Sequence, residues 1–114
     1  MANLVIPTPF FESKYKRLAR KFPSLGIELV NLEKELINNP KLGESLGSDL
    51  YKIRLSAKDK GKSKSGGFRI ITYLVQEFQN SFEIYLITIF DKSEEANISK
   101  SILLKIVKSI LNDH

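Results

Sequence analysis

Two apolar runs, Phe68 to Gln76 and Phe82 to Phe90, flank a turn signal at Gln79-Asn80-Ser81. Both are apolar at odd and even positions alike, the pattern of central strands covered on two faces. A chain built around such a pair must find cover for both sides of a sheet, and the flanking sequence supplies it.

Upstream, from about Thr8, Phe11, Tyr15, Leu18, Ala19 and Phe22 recur with the spacing of one helix face, and Pro23 ends the pattern. Ser24 is an expected N-cap for a second helix. Leu25, Leu29, Leu32 and Leu36 repeat the period there until Asn39-Pro40 stops it. So short a connection predicts an antiparallel helical hairpin. Asn3 to Ile6 reads as a short strand or extended arm ended by Pro7 and Pro9, and Gly43 and Gly47 mark a loop. The period then switches to two: Tyr51, Ile53, Leu55 and Ala57 alternate with Lys52, Arg54, Ser56 and Lys58. After Asp91-Lys92-Ser93-Glu94-Glu95, a last helix carries Ile98, Ile102, Ile106 and Ile110 in one stripe, widened by Leu103 and Val107. The expected order is β-α-α-β-β-β-α. This is class α+β, a mostly antiparallel four-stranded sheet packed by a helical hairpin and a C-terminal helix.

At 114 residues and 42% hydrophobic content, residues 1–114 form one expected domain that buries about two-thirds of its unfolded surface. The absence of cysteine excludes a disulfide framework, a thiolate zinc site and a cysteine nucleophile, and fits a reducing compartment. The apolar run Leu4 to Ile6 falls far short of a signal peptide, and no stretch approaches the ~20 apolar residues of a membrane span. A soluble, cytoplasmic protein without a membrane partner is expected.

Charge is concentrated. Lys52 to Arg69 holds seven cations against one acid, Asp59, a local net charge of +6 that leaves the rest of the +5 chain at −1. Such a segment is the footprint of a surface that meets phosphates. It has no heptad or amphipathic-helix pattern, which excludes a basic coiled-coil arm or a membrane-lying helix. Consecutive hairpins bring Lys52 and Arg54 beside the start of the next strand and return Phe90 to Lys92 to the same end. Arg69 is therefore expected between Arg54 and Lys92. A one-residue slip would turn Arg69 to the other face, and hydropathy does not choose between two apolar faces. Arginines gathered without interleaved acids repel one another, and a fold retains that where an anion arrives. Lys58, Lys60, Lys62 and Lys64 lie in the intervening loop, where solvated charge and long-range attraction are both open readings.

Other chemistry finds little support. Gly61 to Gly66 departs from a P-loop, because Gly67-Phe68 stands where Lys-Ser/Thr is required and a strand follows instead of a helix. Gly66-Gly67 reads as a turn. The single histidine, His114, is the last residue, and no metal or other cofactor is expected. Asp91-x-x-Glu94 reads as the start of the terminal helix, and Asn97-Ile98-Ser99 as a chance glycosylation sequon. Tyr51, Tyr73, Phe82, Tyr85 and Phe90 fall at strand spacing and read as core.

The segment YKIRLSAKDKGKSKSGGFRIITYLV, followed by IYLITIFDKSEEANIS, resembles the RelE/ParE superfamily of toxins from bacterial toxin–antitoxin modules, in particular its HigB-like branch. The hairpin before it and the helix after it extend the resemblance over nearly the whole chain. The resemblance implies a RelE-like β-α-α-β-β-β-α fold, cleavage of messenger RNA in the ribosomal A site, and neutralisation by a cognate antitoxin protein. Carried over by position, the basic catalytic residues fall on Lys52, Arg54, Arg69 and Lys92. One departure is that RelE enzymes have a functional tyrosine near the terminal helix, whereas this chain has none after Tyr85. Transesterification by the RNA's own 2′-OH would need a base, an acid and charge stabilisation at phosphorus. Arg54 and Arg69 suit the last, Lys52 or Lys92 suits acid or base, and Asp91 is a second candidate base. Lys58, Lys60, Lys62 and Lys64 would then attract ribosomal RNA. A ParE-like DNA gyrase inhibitor and a non-catalytic basic RNA-binding module remain the alternatives, since fold does not fix function.

Overall fold

The two doubly apolar runs become the middle of a five-stranded sheet. In the computed structural model, which describes residues 3–58, 67–77, 80–93 and 98–112, the chain begins with β1 (Leu4–Pro7), α1 (Pro9–Lys21) and α2 (Leu25–Asn38). It continues through β2 (Glu44–Gly47), β3 (Leu50–Leu55), β4 (Phe68–Gln76), β5 (Phe82–Asp91) and α3 (Lys100–Asn112). The sheet order is β1-β5-β4-β3-β2. Strand β1 runs parallel to β5, and every other pairing is antiparallel. Pro7 is tolerated because β1 is an outer strand.

The expected count of four strands is corrected to five. The additional strand, β2, occupies the stretch expected to be a loop between Gly43 and Gly47. Ser48 and Asp49 both take positive φ, 57° and 63°, and so form the left-handed pair of a two-residue hairpin turn. Gly43, at φ +103°, admits no side chain, because a Cβ there would lie 2.5 Å from the carbonyl oxygen of Lys52.

Each face of the sheet has its own cover. On one, Phe11 and Leu18 of α1 and Leu25, Leu32 and Leu36 of α2 pack on Ile53, Phe68, Ile70, Ile84, Leu86 and Ile89. On the other, Leu103 and Val107 of α3 pack on Leu50, Ile71, Tyr85, Ile87 and Phe90. Burying each large apolar side chain contributes about 1.5–3 kcal/mol. Helix α1 is fixed at its start by Thr8. The hydroxyl of Thr8 accepts from the Phe11 amide at 3.2 Å and donates to the Leu86 carbonyl at 2.8 Å. Ser24, expected to cap α2 with its side chain, instead has helical backbone angles and makes no side-chain cap. The α3 stripe is also corrected. Leu103 and Val107 form its buried centre, Ile106 and Ile110 flank them, and Ile102 is exposed. Residues four apart advance 40° beyond a full turn, so the Ile98-to-Ile110 series drifts across the contact instead of following it.

Candidate functional site

Strand alternation and register together decide which face each basic residue takes. Lys52 and Arg54 are two apart on β3 and so share a face, and Arg54 is paired directly with Arg69 of β4. Arg69 is in turn opposite Phe90 of β5, a buried member of the α3-side core. Lys52, Arg54, Arg69 and Phe90 therefore lie on the α3 face. Strand β5 reaches this register through a bulge: Ile71 is opposite Thr88 while Thr72 is opposite Leu86, which leaves Ile87 as an extra residue. The expectation that Arg69 would sit between Arg54 and Lys92 is corrected to Arg54 on one side and Phe90 on the other.

The two arginines differ in surroundings. Arg54 is exposed, whereas Arg69 is 4% exposed and its Nη1 donates to the Phe68 carbonyl at 3.2 Å. Burial, and next the charge of Arg54, push the Arg69 guanidinium below its ordinary pKa. It stays cationic at any physiological pH, since an arginine begins so far above neutrality. The exposed Arg54 guanidinium presents planar donors that can fork the oxygens of an incoming oxyanion.

The other candidates divide. Lys92 is exposed and adjoins this end of the sheet, its amide donating to the Gly67 carbonyl at 3.0 Å. Lys52 lies opposite Glu44 of β2, with its ammonium 3.7 Å from that carboxylate. Glu44 was not foreseen, because the strand that presents it was read as loop. The segment Glu44-Ser45-Leu46 between two glycines carries a single apolar residue, too little to establish a strand. Asp91 takes the hairpin face at this end of the sheet. Its register partner is Phe68, on the hairpin face, and its Oδ1 accepts from the amide and hydroxyl of Ser93 at 2.9 and 2.8 Å. That geometry fits an Asx turn closing β5. Lys58 is exposed just beyond the buried Ala57. Lys60, Lys62 and Lys64 lie outside the described residues, as do Glu94, Glu95, Asn97 and His114.

Among the described residues, no cluster of His, Cys, Asp or Glu is arranged to hold a metal ion. No helix among them is long and apolar enough to cross a membrane. No family model matches the chain.

Proposed function

We propose that the protein is the toxin of a toxin–antitoxin pair, a RelE-like, HigB-like ribosome-dependent endoribonuclease of the cytoplasm. The observation that carries this reading is the direct opposition of Arg54 and Arg69 at one end of the sheet, where a phosphate would offset their repulsion. In the reaction, the 2′ oxygen of one nucleotide attacks the adjacent phosphorus as its proton passes to a base. The bond from phosphorus to the 5′ oxygen breaks, and that oxygen takes a proton from an acid. Arg54 and Arg69 hold the extra negative charge on phosphorus. Lys52 and Lys92 supply the proton transfers, with Glu44 positioning Lys52. The ribosome holds the message in line, a contribution worth several powers of ten in rate. A small antitoxin protein neutralises the toxin between bouts of activity.

Induction in growing cells followed by mapping of RNA ends tests the proposal. Cuts on translated messages, leaving a 2′,3′-cyclic or 3′-phosphate and a 5′-hydroxyl, are expected. Arg54→Ala and Arg69→Ala should each abolish them without unfolding the domain. Intact messages together with trapped gyrase–DNA complexes would overturn it in favour of gyrase inhibition.

A further inference from the structure

Helix α1 carries Lys14, Lys16, Arg17, Arg20 and Lys21 against the single carboxylate of Glu12, a net +4 in thirteen residues. The chain as a whole is only +5, so α1 is a second centre of positive charge comparable to the strand and loop segment. Phe11 and Leu18 take the buried side of α1, while Lys16, Arg17, Arg20 and Lys21 are exposed. Pro9, Glu12, Ser13, Lys16, Arg17 and Arg20 line a surface recess of about 480 Å³. Arg20 and Lys21 alone would complement the negative end of the helix dipole. Lys16 and Arg17 stand a turn further back, where the dipole asks for no cation.

The end of α1 is tied to the arginine end of the sheet. Phe22, the residue that caps α1, packs edge-on against Phe68 with ring centroids 5.3 Å apart. Phe68 is adjacent to Arg69 in β4 and points to the opposite face. The end of α1 thus meets the sheet beside the strand position that carries Arg69, from the hairpin side. Among the described residues, no exposed Phe or Tyr stands on the last two turns of α1. Phe22 is buried, and the exposed Phe10 stands at the other end of the helix beneath Lys14. A row of cations on a rigid helix without a stacking platform grips phosphates and leaves bases unread.

We infer that the outer face of α1, through Lys16, Arg17 and Arg20, is a docking surface for the sugar–phosphate backbone of helical RNA. It lies apart from the site that would cut the message, and it rests on the nuclease reading only in naming RNA as the polyanion. Its role is to hold the domain on structured RNA while the sheet end faces the strand to be cleaved.

The test is a fluorescence-anisotropy titration of the full chain with a labelled RNA hairpin across about 50 to 200 mM salt. The triple variant Lys16→Gln, Arg17→Gln, Arg20→Gln should bind at least tenfold more weakly. Its slope of log affinity against log salt should be shallower by roughly two to three, as each lost phosphate contact removes about 0.9 for a duplex. Lys34→Gln, on the exposed side of α2, should leave the slope unchanged. An unaltered slope in the triple variant, or a loss confined to binding of an acidic peptide, would overturn the inference. Because the titration reads binding alone, the two proposals fail separately. RNA held through α1 but never cut would sink the nuclease reading only, and cleavage with an unaltered slope would sink only the role of α1.

Discussion

Arg54 and Arg69 stand directly opposite one another across the β3–β4 ladder, one exposed and one buried. Like charges at opposed sheet positions are destabilising, and the cost grows when one of them is removed from water. Strand pairing enforces the approach, since neither residue can withdraw without breaking the register that seats Ile53 and Ile70 in the core. Under the proposed function, this cost to stability is what the site gives up to receive a phosphate.

The first prediction separates stability from activity at this pair. Arg54→Glu converts the repulsion into an opposite-charge pair and should stabilise the domain by about 1 kcal/mol, read as a higher urea midpoint at unchanged m-value. The same variant should no longer inhibit growth. A destabilised Arg54→Glu protein, or a stable one that remains toxic, would remove the arginine pair from the mechanism.

Gly43→Ala should be costly. The left-handed backbone penalises any side chain by about 1–2 kcal/mol, and the new methyl would strike the Lys52 carbonyl oxygen. Detachment of β2 is expected, with faster amide exchange from Glu44 to Gly47 and loss of the Glu44 contact to Lys52. Wild-type exchange rates along β2 would show the close approach to be absent.

These two positions also mark what the sequence could and could not convey. The period switch at Tyr51 and the doubly apolar runs at Phe68 and Phe82 were legible because burial on one or both faces writes itself into alternation. The hairpin leucines of α2 were legible for the corresponding helical reason. Strand β2 was not, since three of its four residues are exposed and it turns through Ser48-Asp49 where Asn-Gly would have announced a hairpin. Without β2, nothing in the sequence places Glu44 opposite Lys52. The facing of Arg69 was undecidable for a different reason, because β4 is apolar on both faces and hydropathy does not choose between them. The +4 of α1 does not show in the net charge, because acids elsewhere in the chain cancel it.

Thr72 and Thr88 are buried with hydroxyls that have no hydrogen-bond partner among the described residues. Valine has nearly the same shape and carries no polar group to strand. Thr72→Val and Thr88→Val should each stabilise the domain by about 1 kcal/mol, measured by urea unfolding. If either variant is instead less stable, that hydroxyl is satisfied by an enclosed water.

The last prediction concerns alkaline pH, far from the arginine pair. Tyr85 is buried, and its hydroxyl donates to Glu83 Oε1 at 3.1 Å. Burial first, then that hydrogen bond, then the charges of Glu83 and Glu77 raise its pKa above the ordinary 10.0. Burial and then the charge of Glu33 act on Tyr15 in the same direction. Above pH 10 the unfolded chain therefore loses these protons before the folded one does. Their stabilising contribution is complete below the unfolded value and drains away as pH climbs through the folded value. Unfolding free energy should fall steadily once the pH passes about 10. In Tyr85→Phe the fall should be shallower, because one of the titrating groups is gone. Parallel stability curves for the wild type and Tyr85→Phe above pH 10 would mean that Tyr85 ionises as readily in the fold as in the open chain.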